Sequence, residues 1–155
     1  MASEHVIRAV ARATCPTRPA GAALHVEGGS TFIGYEGAPH GIAHCDVTGC
    51  RLDETGTCRH AVRAELNALT RVARSSSHSA TGAVLEISHP LHPSAVGLVI
   101  NAGVTRVECT APVARAVQDT LQLAGVTLAV EGETKDADSR ECQPKGLEED
   151  DQGVG

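Results

Sequence analysis

Aromatic side chains are almost missing from this chain: one tyrosine, one phenylalanine and no tryptophan among 155 residues. A core must therefore be built from Val, Leu, Ile and Ala. The same scarcity leaves no row of aromatic platforms on which the bases of a single strand could stack, which argues against a general single-stranded nucleic-acid binder. Excess positive charge is missing too. With 13 Lys and Arg against 19 Asp and Glu the formal net charge is −6, whereas phosphate backbones attract basic surfaces. No apolar run is long enough to span a membrane. The opening Met-Ala-Ser-Glu-His carries neither the basic n-region nor the apolar h-region of a signal peptide. These absences predict a cytoplasmic protein with neither nucleic acid nor membrane among its partners. Disulfides are rare in that compartment, so the six cysteines are expected as metal ligands or as small buried residues.

What is present suggests one domain over residues 1–130, of ordinary hydrophobic content, followed by an acidic, Gly-rich segment over 131–155 without periodicity. That composition predicts a disordered tail. Helical spacing over His5–Thr14 ends where Pro16 and Pro19 forbid continuation. Strands are expected over Gly21–Val26 and Thr31–Tyr35, joined by a turn at Glu27-Gly-Gly. A long loop runs from Glu36 to about Thr57. A central helix over His60–Arg74 carries Ala61, Ala64, Leu66, Ala68, Leu69 and Val72 as an apolar stripe. A polar linker over Ser75–Ser79 leads to a strand over Gly82–Ser88 and a helix over Pro93–Ala102, closed by Gly103. A strand over Val104–Cys109, a helix over Pro112–Leu123 closed by Gly125, and a strand over Val126–Val130 follow. The order α-β-β-α-β-α-β-α-β implies a central sheet flanked by helices.

Three stretches carry a resemblance. Gly34-Tyr-Glu-Gly-Ala-Pro-His-Gly-Ile-Ala-His-Cys45-Asp resembles the G-Y-N-G-x-P-x-G-x-x-x-C segment of deoxycytidylate (dCMP) deaminases. Cys58 through Leu69 resembles their C-x-R-x-x-H-A-E-x-N-A-I helix. Ile87-Ser-His, then Val99-Ile-Asn-Ala-Gly-Val-Thr-Arg-Val-Glu, resembles the segment bearing their P-C-x-x-C zinc motif, and Ala124-Gly-Val-Thr-Leu is similar to their ending. The resemblance spans residues 5 to 130. It implies a cytidine-deaminase-like α/β fold: a three-layer sandwich around a mixed five-stranded sheet. It also implies a family of zinc hydrolases in nucleotide metabolism, commonly oligomeric and often regulated by deoxynucleoside triphosphates.

The chain departs from that family where the metal belongs. The family's zinc takes one histidine and two cysteines, with water in the fourth place and a non-ligating glutamate as proton shuttle. Glu65 keeps the shuttle position, but the histidine position holds Arg63, which stays protonated and cannot donate a lone pair. Counting back without gaps puts His92 and Ala95 at the two cysteine positions and Leu91 at the preceding proline. Loss of the catalytic zinc is expected. The alternative of a rebuilt site from His60, His89 and His92 stays open, as does the reading of His60 and His89 as surface or loop histidines. Arg63 either supplies positive charge to a carboxylate or phosphate of another ligand, or merely plugs an abandoned pocket. The resemblance further places Tyr35, Glu36, Ala64, Asn67 and His89 in the substrate pocket. Glu36 replaces the family's asparagine near the sugar: it can accept a hydroxyl hydrogen bond but would repel a phosphate.

Cys15, Cys45, Cys50 and Cys58 stand where these deaminases often carry cysteines and where some hold a structural zinc. Such a clip would pin the long loop, with His44 and His60 as alternative fourth ligands and free thiols as the alternative reading. Cys109 and Cys142 look unrelated. The expectation is a non-deaminating pseudoenzyme that senses a nucleotide or binds a partner, as a homo-oligomer or with an active deaminase. The alternatives are a zinc-independent enzyme using Glu65 as general acid/base, and an active deaminase with an unorthodox metal site.

Overall fold

The computed structural model describes residues 2–54 and 58–132. Its elements are α1 (Glu4–Val10), β1 (Gly21–His25), β2 (Thr31–Tyr35), α2 (Cys45–Thr48), α3 (Ala64–Ala73), β3 (Val84–Ile87), α4 (Pro93–Asn101), β4 (Arg106–Cys109), α5 (Arg115–Leu123) and β5 (Thr127–Val130). The five strands form one sheet in the order β2-β1-β3-β4-β5. β1 runs antiparallel to both β2 and β3, while β3, β4 and β5 are parallel. The mixed sheet follows from the connections: a tight Gly28-Gly29 turn with positive φ at both residues can only reverse the chain. The crossovers through α4 and α5 return it in the same direction.

The period-two alternation of each strand sorts the layers. Ala22 and Leu24 of β1, Leu85 and Ile87 of β3, and Val107 and Cys109 of β4 point to one face. There they pack with Ala64, Ala68 and Val72 of α3, Ala95, Val96 and Val99 of α4, and Val117 and Leu121 of α5. Helix α1 covers β1 and β2 from the other face with Val6 and Ala9, both fully buried. The result is the three-layer α/β sandwich, with a core of small aliphatic residues. No helix among the described residues is long and apolar enough to cross a membrane.

Two glycines set how closely the helices lie on the sheet. A Cβ on Gly21 would stand 2.6 Å from Val10 N and 2.7 Å from Ala9 Cβ of α1. A Cβ on Gly34 would stand 2.0 Å from Ala64 O and 2.5 Å from Ala68 N of α3. Backbone atoms cannot retreat as a flexible side chain can. Gly34→Ala is therefore expected to cost on the order of 2–3 kcal/mol, and a chemical denaturation curve would show it. A cost within experimental error would mean that α3 rides on β2 more loosely than this packing implies.

The structure corrects the expected elements in three places. The central helix begins at Ala64, not His60. Residues 60–63 are held by the neighbouring loop: Val62 forms an isolated antiparallel bridge with Gly37, and Cys58 Sγ accepts the Ala61 N–H at 3.4 Å. Arg63 is thus the N-cap, with extended backbone (φ −65°, ψ 148°), and His60 is not one helical turn before it. The loop after Glu36 contains the four-residue α2, too short to carry a periodic signal. Helix α1 stops at Val10 because the chain turns to the β2 edge, where Thr14 N–H bonds Glu36 O at 3.0 Å. Of the expected tail, only Glu131 and Gly132 are among the described residues.

Candidate functional site

The site forms where α3 and α4 start, over the carboxyl end of β3, in the crevice where open α/β sheets place ligands. Its parts are fixed locally. Glu36 follows β2, with its N–H on Ala20 O at 2.9 Å and its carbonyl on Thr14. The Gly37–Val62 bridge then sets it beside Arg63. Ser88 is pinned to the start of β1: its Oγ accepts the Gly21 N–H at 3.0 Å, and its own N–H bonds Gly21 O at 3.0 Å. His89, next in the chain, reaches Glu65. Glu65 sits in the first turn of α3, where the helix dipole favours a carboxylate.

Glu65 is fully buried. His89 Nε2–H donates to its Oε2 at 3.1 Å. Three buried polar atoms in this neighbourhood have no hydrogen-bond partner: Glu65 Oε1, Glu36 Oε2 and His89 Nδ1. Buried polar groups are nearly always paired, and each exception asks for an explanation. Of these three residues Glu36 lines a cavity of about 500 Å³, with Arg18, Arg63, His92 and Ser94 also on its walls.

The three positions that the sequence resemblance sets at the family's zinc ligands, Arg63, His92 and Ala95, are all among the described residues. Arg63 lines the cavity. His92 is the N-cap of α4: its Nδ1 accepts the Ser94 N–H at 3.2 Å and lies 2.7 Å from Ser94 Oγ, with Pro93 at the first helical position. Ala95 is fully buried in the first turn of α4. A zinc held by this fold needs three lone-pair donors and an open place for water. A guanidinium, an imidazole with one nitrogen already used, and a methyl group do not fit that requirement. No three His, Cys, Asp or Glu side chains among the described residues converge closely enough to hold a metal ion as placed. His89 is committed to Glu65, and His60 sits with Cys58, towards which its backbone N–H points.

The electrostatics of the pocket are mixed. Burial pushes the Glu36 carboxyl above its ordinary value, with Glu65 adding to this, against the pull of Arg63, His89 and Arg18. Burial, with Arg63 next, holds the His92 imidazole below its ordinary value. The two affect stability oppositely. Between 4.5 and its raised folded value, Glu36 binds more proton folded than unfolded, so its contribution falls as pH rises through that window. His92, depressed below 6.5, costs stability as pH falls from 6.5 through its folded value. Glu36→Gln removes the first slope. The variant is expected to gain on the order of 1 kcal/mol over the parent at neutral pH and nothing well below pH 4.5. Parallel thermal melts across pH would check it, and an equal offset at every pH would contradict it.

Other expected pocket residues fall elsewhere. Ala64 is buried under β2. Asn67 Nδ2 donates to Tyr35 O at 2.8 Å, bracing strand to helix. Tyr35 and Asn67 line a separate cavity of about 430 Å³ with Arg71 and Arg74, and Arg71 stacks over the Tyr35 ring at 5.5 Å. Conversely, the sequence reading missed Arg18 and Ser94. Pro16 and Pro19 flanking Arg18 were the available sign that this arginine sits on a stiffened loop.

The four cysteines of the expected structural site are neighbours. Cys45 contacts Cys58 and feels the charges of Cys50 and Cys15. Cys15 and Cys50 each lie 3.5 Å from Thr17 Oγ1. Burial raises the Cys58 thiol, but the backbone N–H groups of His60 and Ala61 and contact with Cys45 outweigh it and hold it below its ordinary value. Cys109, by contrast, is pushed up to about 11 by burial and is an inert core thiol.

No family model matches the chain, and no curated protein sequence matches it. Solved structures do. The dCMP deaminase of the cyanophage S-TIM5, in complex with dCMP and dUMP, aligns at a TM-score of 0.65 and 30% identity, over 78% of this chain and 87% of that one. Its apo form aligns at 0.63 and 26%, over 81% and 90%. A Thermotoga maritima diaminohydroxyphosphoribosylaminopyrimidine deaminase/5-amino-6-(5-phosphoribosylamino)uracil reductase aligns at 0.55 and 16%, over 82% of this chain and 34% of that one, a likeness of fold alone.

Proposed function

The chain belongs to the dCMP deaminase family, and on that footing we propose that it binds a pyrimidine deoxynucleotide without deaminating it. The observation that carries this reading is the donor set at the ligand positions: Arg63 on the cavity wall, His92 engaged with Ser94, and a buried Ala95. Hydrolysis at the cytosine amino carbon needs an activated water, and these groups offer nothing to lower the pKa of one. Binding, unlike hydrolysis, needs no metal. The cyanophage relative holds dCMP and dUMP, and here Glu36, on the cavity wall, carries a buried carboxylate oxygen without a hydrogen-bond partner. In this reading Glu36 Oε2 accepts a sugar hydroxyl, and exposed Arg18 at the cavity wall meets the phosphate.

The test is a dCMP deamination assay on protein whose bound zinc has been counted, with zinc supplied, alongside thermal melts with dCMP and dUMP. The proposal expects no dUMP in proportion to protein, and a rise in melting temperature that saturates with nucleotide. Turnover proportional to protein would sink it. A second reading rests on the Glu65–His89 pair, whose geometry suits general acid/base work: an enzyme that has dispensed with zinc. The Glu65 variant argued in the Discussion separates the two.

The thiol neighbours fit a structural zinc by their chemistry. Four cysteines lie near one another at the long loop, and the Cys58 thiol is held below its ordinary value. We propose that Cys15, Cys45, Cys50 and Cys58 hold it, with rotation of Cys15 and Cys50 off Thr17. The zinc count is then expected near one per chain in the parent and near zero in Cys45→Ser.

A further inference from the structure

Charge is divided unevenly along this chain. Residues 1–130 hold ten arginines, no lysine, and ten Asp and Glu, so the whole net charge of −6 lies in residues 131–155. Its densest part is the run Glu148-Glu-Asp-Asp151. A block of like charge on a terminal segment is the signature of an interaction tail.

The cavity of about 430 Å³ between the 38–44 loop and α3 has the complementary chemistry. Arg71, Arg74, His40 and His44 stand on its walls, and no carboxylate does. Arg8, Arg59, Arg106 and Arg115 are paired with carboxylates, whereas Arg71 and Arg74 have no such partner among the described residues. Ile42 adds an apolar group to the same wall, 46% exposed, which suits Leu147 just before the acidic run. The 500 Å³ cavity differs, because the buried Glu36 stands there beside Arg18 and Arg63 and opposes a second carboxylate.

Topology brings the two parts within reach. β2 and β3 are each antiparallel to β1, and β4 and β5 run parallel to β3, so these four strands end at one edge of the sheet. Tyr35, on the cavity wall, closes β2 at that edge, and the chain leaves β5 there after Val130. β2 and β5 are the outer strands, about 19 Å apart at the usual strand spacing. The stretch from Val130 to Glu148 spans on the order of 60 Å at full extension. We propose that residues 148–151 dock in this cavity of their own chain, with their carboxylates on Arg71 and Arg74. Tethering favours the contact, since a linked segment acts at a high effective concentration. The inference stands apart from the nucleotide reading.

Arg74→Lys in the full chain tests it. The change keeps the charge at the C-cap of α3 and makes the only lysine of residues 1–130. A carbodiimide joins an amine to a carboxylate in contact with it. The expected product, found by digestion and mass spectrometry, links residue 74 to residues 148–151. Its yield should hold on dilution and fall with added salt. Arg63→Lys, in the other cavity, and Arg115→Lys, on α5, should give about tenfold less of the same link. No link from residue 74, or equal yields from all three variants, overturns the proposal. So does a link formed only between chains, read by mixing isotope-labelled and unlabelled protein. A second measurement needs no lysine. Tyr35 is the chain's single tyrosine, without any tryptophan, so acrylamide quenching of its emission reads whether the cavity is covered. Quenching should rise about twofold in a variant carrying Glu148→Gln, Glu149→Gln, Asp150→Asn and Asp151→Asn, and the parent at high salt should match it. Equal quenching of parent and variant at low salt would show the cavity uncovered.

Discussion

A variant carrying Arg63→His, His92→Cys and Ala95→Cys is expected to bind about one zinc more per chain than the parent and to turn dCMP into dUMP, a turnover not expected of the parent. The three changes supply an imidazole and two thiolates, leaving the fourth position of a tetrahedral zinc for water. The proton shuttle needs no change: Glu65 is already buried beside the site with one oxygen free. The thiol at position 92 would stand at the start of α4, where unpaired helix N–H groups favour the thiolate. The thiol at position 95 enters a fully buried place. Without metal it should cost about 1–3 kcal/mol as overpacking, and added zinc should restore the stability by mass action. Elemental analysis against the parent, with chromatographic detection of dUMP, reads both effects. Each single change should gain neither, since one or two donors cannot fix an activated water. A triple variant that folds yet takes up no additional zinc would show that these are not the ligand positions.

The strands and the late helices were legible in sequence because their signals are local. Thr31–Tyr35 is bounded by a Gly-Gly turn, and the helices before Gly103 and Gly125 end on residues suited to positive φ. The start of α3 was not, because Ala61 continues the apolar stripe while the force that straightens residues 60–63 is a bridge to Gly37, far away in the chain. The site divides in the same way. Arg63, Glu65 and His92 could be placed by motif, since each lies at a fixed offset within one segment. That Glu36 stands by Arg63, that Arg18 joins the same wall, and that Asn67 braces Tyr35 rather than facing the cavity depend on how four segments meet. No spacing within a segment encodes that.

Glu65→Gln is expected to weaken pyrimidine deoxynucleotide binding at least about tenfold while leaving the chain as stable as the parent, or more stable by about 1 kcal/mol. Glutamine keeps an oxygen for the His89 Nε2–H, now at 3.1 Å from Glu65 Oε2. It removes a carboxylate that is fully buried and has one oxygen unpaired. An unpaired buried acceptor costs about 1–3 kcal/mol, and more when charged, so the folded state gains by its removal. The ligand loses instead, because the amide sets a hydrogen-bond donor where the carboxylate could only accept. If Glu65 served as general acid/base for some other substrate, the substitution would abolish turnover. In a binding protein there is no turnover to lose and only affinity falls. A Glu65 kept solely to hold His89 would behave differently again: losing the charge would weaken that pair and lower stability, with the nucleotide unaffected. Affinity and stability moving in opposite directions is the pattern of a residue that the fold tolerates for the sake of its ligand.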